Sequence, residues 1–119
     1  MNENMALFAA TLLHSATNTH FFHWSTDSYS KHKALGNYYD EIVDLTDDLV
    51  EAYMGCYEQI KTFPSTYHQP KEPLAYLQSL QAFVKDARSD LPTDSEIVQL
   101  IDNIAQEIDT TIYLLKFKG

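Results

Sequence analysis

The chain has 119 residues, of which 45% are apolar, and 8 basic against 17 acidic side chains give it a net charge of −9. This length fits a single domain, residues 1–119, that buries roughly two-thirds of its unfolded surface without disulfide staples. Cys56 is the single cysteine, so no intramolecular disulfide can form, and we expect a cytoplasmic protein. The acidic excess repels phosphates and anionic lipid heads and attracts cations, so we expect neither nucleic acid nor a membrane as a partner.

Helical periodicity runs through most of the chain, which contains only 3 Gly and 4 Pro. Apolar residues spaced three and four apart predict four helices, from Asn4 to about Thr26, from the following turn to about Lys61, from Leu74 to Leu91, and over Ile97 to Leu115. A capping box at Thr93-Asp94-Ser95-Glu96 is expected to begin the last helix. The sequence therefore predicts an all-α four-helix bundle made of two antiparallel hairpins.

One long connection, Thr62–Pro73, joins the two predicted hairpins. At full extension it spans roughly 40 Å. It can therefore cross the length of the bundle or fold back, and the sequence leaves both paths open.

Histidines and carboxylates are concentrated in the first predicted hairpin. Four of the five histidines come before residue 33, and the second helix is rich in Asp and Glu. The turn after the first helix brings His23 and His32 to the same end of the molecule. Asp47 comes fifteen residues after His32, about 22 Å along a helix, which prevents one chain from joining them at a single ion.

A second copy of the chain removes this obstacle. If two copies of the second helix pack antiparallel about a two-fold axis near Asp40, His32 of one copy faces Asp47 and Glu51 of the other, and two identical sites result. Gly36 lies close to this predicted axis, where it would let the two backbones approach. Mixed histidine and carboxylate ligation suits iron, manganese or zinc.

The run Thr19-His20-Phe21-Phe22-His23-Trp24-Ser25 resembles the T-H-N-F-H-W-N signature at the end of the first helix of Dps mini-ferritins, the ferritin-like iron-oxidising proteins of starved bacteria. The whole chain is also similar to small ferritin-like proteins encoded by bacteriophages. The Dps resemblance implies a ferritin-like bundle with an iron site between subunits. It implies that His23 and His32 bind from one subunit, and Asp47 and Glu51 from its neighbour.

Two departures from the Dps pattern are visible. The family places an acidic ligand four residues after the second histidine, where this chain has Gly36, and Asp40 is the candidate replacement one turn further on. The lysine-rich tail of DNA-binding members has no counterpart in the short acidic N-terminus, so the resemblance does not imply DNA protection.

Two functions remain open from the sequence. The first is a homodimeric or larger ferritin-like protein that binds iron, or else zinc or manganese, and oxidises Fe(II) with oxygen or peroxide. The alternative is a non-catalytic homodimeric module that has lost the metal centre and needs no cofactor.

Several other side chains have simpler predicted roles. We expect His14 and His68 to be exposed, His20 to lie at the surface or beside the metal ligands, and Cys56 to be a small buried residue. Trp24 is predicted to anchor either the core or a subunit interface.

Overall fold

The computed structural model describes residues 2–67 and 69–119, so the predicted exposure of His68 lies outside the described residues. The structure has helices α1 (Asn2–Ser25), α2 (Tyr29–Cys56), α3 (Pro73–Ala87) and α4 (Ser95–Phe117), and a 3-10 turn (Arg88–Asp90) follows α3. No strand occurs in the described ranges. The predicted all-α four-helix bundle is confirmed. None of the described helices is both long and apolar enough to cross a bilayer.

Two helices end earlier than the periodicity predicts. α2 stops at Cys56 instead of about Lys61, because the chain turns there and buries Ile60 beside Ala6 of α1. α3 stops at Ala87, and the 3-10 turn then brings Leu91 into the core as a non-helical residue. In both cases burial of one apolar side chain takes precedence over continuation of the helix.

The predicted capping box before α4 is wrong. Asp94 is the N-cap residue, but its side chain makes no hydrogen bond to the helix backbone, because the carboxylate accepts hydrogen bonds from the Tyr57 hydroxyl and, at 3.7 Å, from the Cys56 thiol. The bond to Asp94 raises the pKa of Tyr57 to about 12, and the same bond lowers the pKa of Asp94. Cys56 is exposed, so its predicted burial is also wrong. This cluster ties the end of α2 to the start of α4.

Contacts at the two ends of the bundle determine its topology. At one end, Asn4 of α1 bonds to the carbonyl of Asp90, just after α3, at 3.4 Å. At the other end, the rings of Phe22 and Tyr76 bring the end of α1 to the start of α3, with centroids 6.4 Å apart. α3 therefore runs parallel to α2, and residues 57–72 cross the length of the bundle. Of the two paths that the sequence left open, the crossover is the one found, and a single long crossover is the connectivity of ferritin-like bundles.

The core is continuous through all four helices, and most of its few polar groups bond to helix carbonyls or to one another. Thr19 and Thr46 donate to the carbonyls four residues earlier. Ser15 donates to the Leu12 carbonyl at 2.6 Å, which leaves the Tyr38 hydroxyl to donate to Ser15 Oγ at 2.8 Å. The hydroxyl of Tyr53 is also buried, and no partner for it lies among the described residues. The core thus holds one satisfied and one unsatisfied tyrosine hydroxyl.

The two buried tyrosines should respond oppositely to the same substitution. Tyr38→Phe removes a hydrogen bond and should lower the free energy of unfolding by about 1 kcal/mol. Tyr53→Phe removes a buried hydroxyl that has lost its hydration, and should raise that free energy by a similar amount, about 1 kcal/mol. Urea denaturation of both variants checks this. A loss of stability in Tyr53→Phe as large as that in Tyr38→Phe would contradict the assignment.

Candidate metal centre

The turn between α1 and α2 is short and locally fixed. Ser28 is the N-cap of α2, and its hydroxyl accepts a hydrogen bond from the backbone N–H of Lys31 at 3.3 Å. The Thr26 hydroxyl accepts one from the N–H of Ser28 at 3.2 Å. These bonds reverse the chain within three residues. They set the end of α1 directly against the start of α2, with His23 and His32 facing one another.

The two histidines form a reciprocal pair. Their rings stack with centroids 3.7 Å apart and an angle of 18° between the planes. Nδ1 of His23 bonds to the backbone carbonyl of His32 at 2.6 Å, and Nδ1 of His32 bonds to the carbonyl of His23 at 2.7 Å. The prediction that the turn brings these residues together is thus confirmed, as two side chains that bind each other's backbone.

The carbonyl partners identify the form of each ring. A carbonyl oxygen only accepts, so Nδ1 must carry the proton in both rings. In the neutral imidazole the lone pair then lies on Nε2. A hydrogen bond from Nδ1–H to a backbone carbonyl is a common way in which proteins orient histidine ligands for metals. The pair is therefore already in the tautomer that metal ligation through Nε2 requires.

Gly36 has a different role from the one predicted. A Cβ at this position would lie 2.9 Å from Cε1 and 3.0 Å from Nδ1 of His23 in the same chain. The missing side chain therefore makes room for the His23 ring, and its space is not available to the backbone of a second chain. An acidic residue here, as in the Dps pattern, would begin with the same Cβ and displace the ring.

The carboxylates lie on another part of α2. Asp40, Asp47 and Glu51 are all exposed, and α2 is unbroken between them and His32. At 1.5 Å per residue, Asp40 is about 12 Å and Asp47 about 22 Å from His32 along the helix. In the described part of one chain, no three His, Cys, Asp or Glu side chains come close enough to share a metal ion. One chain thus supplies a histidine pair, and the joint site remains a prediction.

A second layer of rings supports the pair. His20 stacks on Tyr39 with centroids 4.0 Å apart, and Tyr39 meets the His23 ring edge to face at 5.3 Å. The sequence interpretation missed the support from Tyr39. Its position seven residues after His32, two helical turns along the same face, is the signal that could have revealed it.

The remaining predictions for single residues have mixed outcomes. His14 is partly buried against the ring of Tyr67, with centroids 5.2 Å apart, so its predicted exposure is wrong. Trp24 is 66% exposed and does not anchor the core of the chain. Its alternative role at a subunit interface stays a prediction.

Comparison with known proteins identifies the family to which this chain belongs. A model of a family of unknown function, DUF5856, matches residues 23–115, more than three quarters of the chain. The chain belongs to DUF5856. The matched segment begins at His23 and includes the histidine pair, the three carboxylates, helices α2 and α3, and all of α4 except its last two residues. No curated protein matches this DUF5856 member, and no solved structure matches it.

The fit between Gly36 and His23 can be measured by a double-mutant cycle. Alanine favours a helix over glycine by about 1 kcal/mol. In the native background, Gly36→Ala should gain nothing or destabilise, because the new Cβ displaces His23 from its carbonyl partner. In a His23→Ala background the ring is absent, and the same change should raise the free energy of unfolding by about 1 kcal/mol.

Gly55 is the matched control for this cycle. It also lies in α2, and a Cβ there would meet nothing within 4 Å. Gly55→Ala should therefore stabilise equally in both backgrounds, as measured by urea denaturation. An equal effect of Gly36→Ala in the two backgrounds would show that His23 does not occupy this space.

Proposed function

We propose that this protein binds a first-row transition metal, with iron as the favoured ion, between two copies of the chain. His23 and His32 of one copy and Asp47 and Glu51 of the other are the proposed ligands. A two-fold axis near Asp40 would generate two such sites per dimer. The architecture that goes with this proposal is that of a ferritin-like protein of the Dps type.

The single observation that carries the proposal is the reciprocal histidine pair. Both Nδ1 atoms bond to backbone carbonyls at 2.6 and 2.7 Å, so both rings are held rigidly with Nε2 as the basic nitrogen. Such fixed tautomers raise metal affinity, because the ligands need no reorganisation when the ion binds. Two imidazoles held in this way make half of a four-ligand site.

The charge pattern of α2 supports the antiparallel arrangement of the two copies. From Tyr29 to Tyr39 the helix carries Lys31 and Lys33 and no acid, and from Asp40 to Cys56 it carries six acids and no base. Antiparallel packing places the basic half of one helix against the acidic half of the other, whereas parallel packing would oppose like charges. The two-fold relation that pairs the proposed ligands also pairs these charges.

An apolar surface lies where this contact would form. The outward surface shared by α1 and α2, which we call the α1–α2 face, exposes Leu13 (44%), Phe21 (37%) and Val43 (36%). Large apolar side chains exposed on neighbouring helices favour an interface with another protein surface. The second copy would cover them.

The donor set limits the chemistry of the site. Two imidazole nitrogens and two carboxylates suit iron, zinc or manganese. Gly36 supplies no ligand, and its close contact with His23 leaves no room for one. We therefore propose one ion per site. When that ion is Fe(II), it is the substrate, and oxygen or peroxide is the oxidant.

A second function is favoured by the same histidine pair. The two reciprocal hydrogen bonds tie α1 to α2 without any ion, so they can serve the hairpin alone. In that case the protein is a non-catalytic homodimeric module. The two functions predict the same dimer and differ in whether it binds metal.

Mixed dimers can test the site. His32→Ala removes one ligand from every site of its homodimer, and Asp47→Ala/Glu51→Ala removes two. Each homodimer should bind Fe(II) at least about 100-fold more weakly than the native protein. A dimer with one copy of each variant has one site with all four ligands and one with a single histidine. It should recover half of the native binding capacity, measured by calorimetry under anaerobic conditions.

Asp44→Ala/Asp48→Ala is the control, because it removes two exposed acids with the same spacing from the same helix and should leave binding intact. Circular dichroism checks that every variant is folded. A native dimer that binds no iron, zinc or manganese would leave the non-catalytic module as the function. A monomeric native protein in analytical ultracentrifugation would contradict both functions.

A further inference from the structure

One end of the bundle has the opposite charge to the rest of the molecule. This end, which we call the hairpin end, comprises the α1–α2 turn, the start of α3 and the end of α4. Gly119 lies against the Lys31 side chain there, and Phe22 packs against Tyr76. The hairpin end holds five of the eight basic residues (Lys31, Lys33, Lys71, Lys116 and Lys118). It holds only two of the 17 acidic ones, Asp27 and Glu72.

The most exposed aromatic side chains lie at the same end. Among the large apolar residues of the described chain, Tyr29 (73%), Trp24 (66%) and Phe117 (66%) are the most exposed. The next is Tyr113 (48%), one helical turn before Phe117. Trp24 and Tyr29 flank the turn on one side of the bundle, and Phe117 ends α4. Exposed aromatic rings and excess lysines therefore coincide, although charge and exposure are independent properties.

We propose that the hairpin end docks onto an anionic membrane surface. Trp and Tyr favour the interface between lipid headgroups and acyl chains, and lysines are attracted to anionic headgroups. Trp24, Tyr29 and Phe117 each lie at or next to a helix terminus, and the contacts of Lys31 with Gly119 and of His23 with His32 place these termini at a common level. Side chains at one level around a bundle can meet a plane together. A nucleic-acid strand would instead need aromatic rings and lysines along one groove.

The net charge of −9, which led us to expect no membrane partner from the sequence, does not prevent this contact, because the charge is unevenly distributed. Asp40, the first acid of α2, lies eleven residues after Tyr29, about 16 Å further from the end. The Debye length at physiological salt is about 8 Å, so a surface in contact with the hairpin end is largely screened from the acidic residues beyond. The unequal charge would also orient the molecule with its basic end toward the surface.

Tryptophan fluorescence tests the contact directly, because Trp24 is the single tryptophan of the chain and lies at the proposed surface. Vesicles with about 30% phosphatidylserine, at about 50 mM salt, should shift its emission to shorter wavelength and carry the protein in flotation. Pure phosphatidylcholine vesicles should do neither, and high salt should reverse the binding. The absence of a shift and of flotation with the anionic vesicles would overturn the proposal.

Charge-reversal variants locate the contact. Lys116→Glu/Lys118→Glu should weaken vesicle binding at least about tenfold, because one lysine near an anionic surface strengthens binding roughly fivefold. Lys61→Glu/Lys85→Glu makes the same change in net charge away from the hairpin end and should bind as the native protein does. Equal weakening by both variants would overturn the proposal. Tighter binding of a single-stranded oligothymidine than of the vesicles would also overturn it, in favour of nucleic acid.

This proposal does not depend on the metal site, because the membrane is approached along the bundle axis and the metal site is approached across the α1–α2 face. In the antiparallel dimer the acidic half of the partner's α2 would lie beside Lys31 and Lys33, so Lys71, Lys116 and Lys118 are the lysines that would remain to face the membrane. Vesicle binding without metal binding, or the reverse, would therefore separate the two.

Discussion

The length of α2 is the constraint on which the rest of the molecule depends. It runs unbroken from Tyr29 to Cys56, about 42 Å at 1.5 Å per residue, and so spans nearly the whole 44 Å length of the bundle. It packs against both α1 and α4. Because it is continuous, it holds the histidine pair apart from the acidic residues of its second half. Any chemistry that needs both the histidine pair and the acidic residues must therefore use a second chain.

Much of the fold could be predicted from local pattern. The apolar spacing identified four helices and the short turn, because each helix repeats its buried face every three or four residues. The path of residues 57–72 could not be predicted, since it depends on which end of α3 meets the end of α1. The predicted capping box at the start of α4 was wrong for a related reason. Thr93 to Glu96 has the local form of a capping box, but Asp94 bonds instead to Tyr57, thirty-seven residues earlier in the chain. Local motifs are reliable only where no distant side chain competes for the same atoms.

The candidate site shows the same limit. Sequence spacing placed His23 and His32 together, because a short turn leaves few alternatives. The spacing could not predict that each ring donates a hydrogen bond to the other histidine's carbonyl, because these bonds depend on how the rings are rotated. Gly36 was interpreted by its position near the predicted two-fold axis, whereas the space beside it is filled by a ring from the other helix. The resemblance to Dps mini-ferritins predicted an acidic metal ligand at this position. The geometry gives a physical reason why glycine stands there instead.

The crossover also affects how the chain holds together. The described residues between 57 and 72 lie outside the helices and most of them are exposed, whereas the hairpins on either side pack against one another through α2 and α4. The covalent link mainly keeps the two hairpins at a high local concentration. A chain cleaved by a protease within this segment should keep all four helices, because Ile60 is the one core residue found among the described residues between α2 and α3. Such a nicked protein is a complex of two peptides. The two peptides would separate on sufficient dilution, whereas the two hairpins of the intact chain stay linked at any concentration.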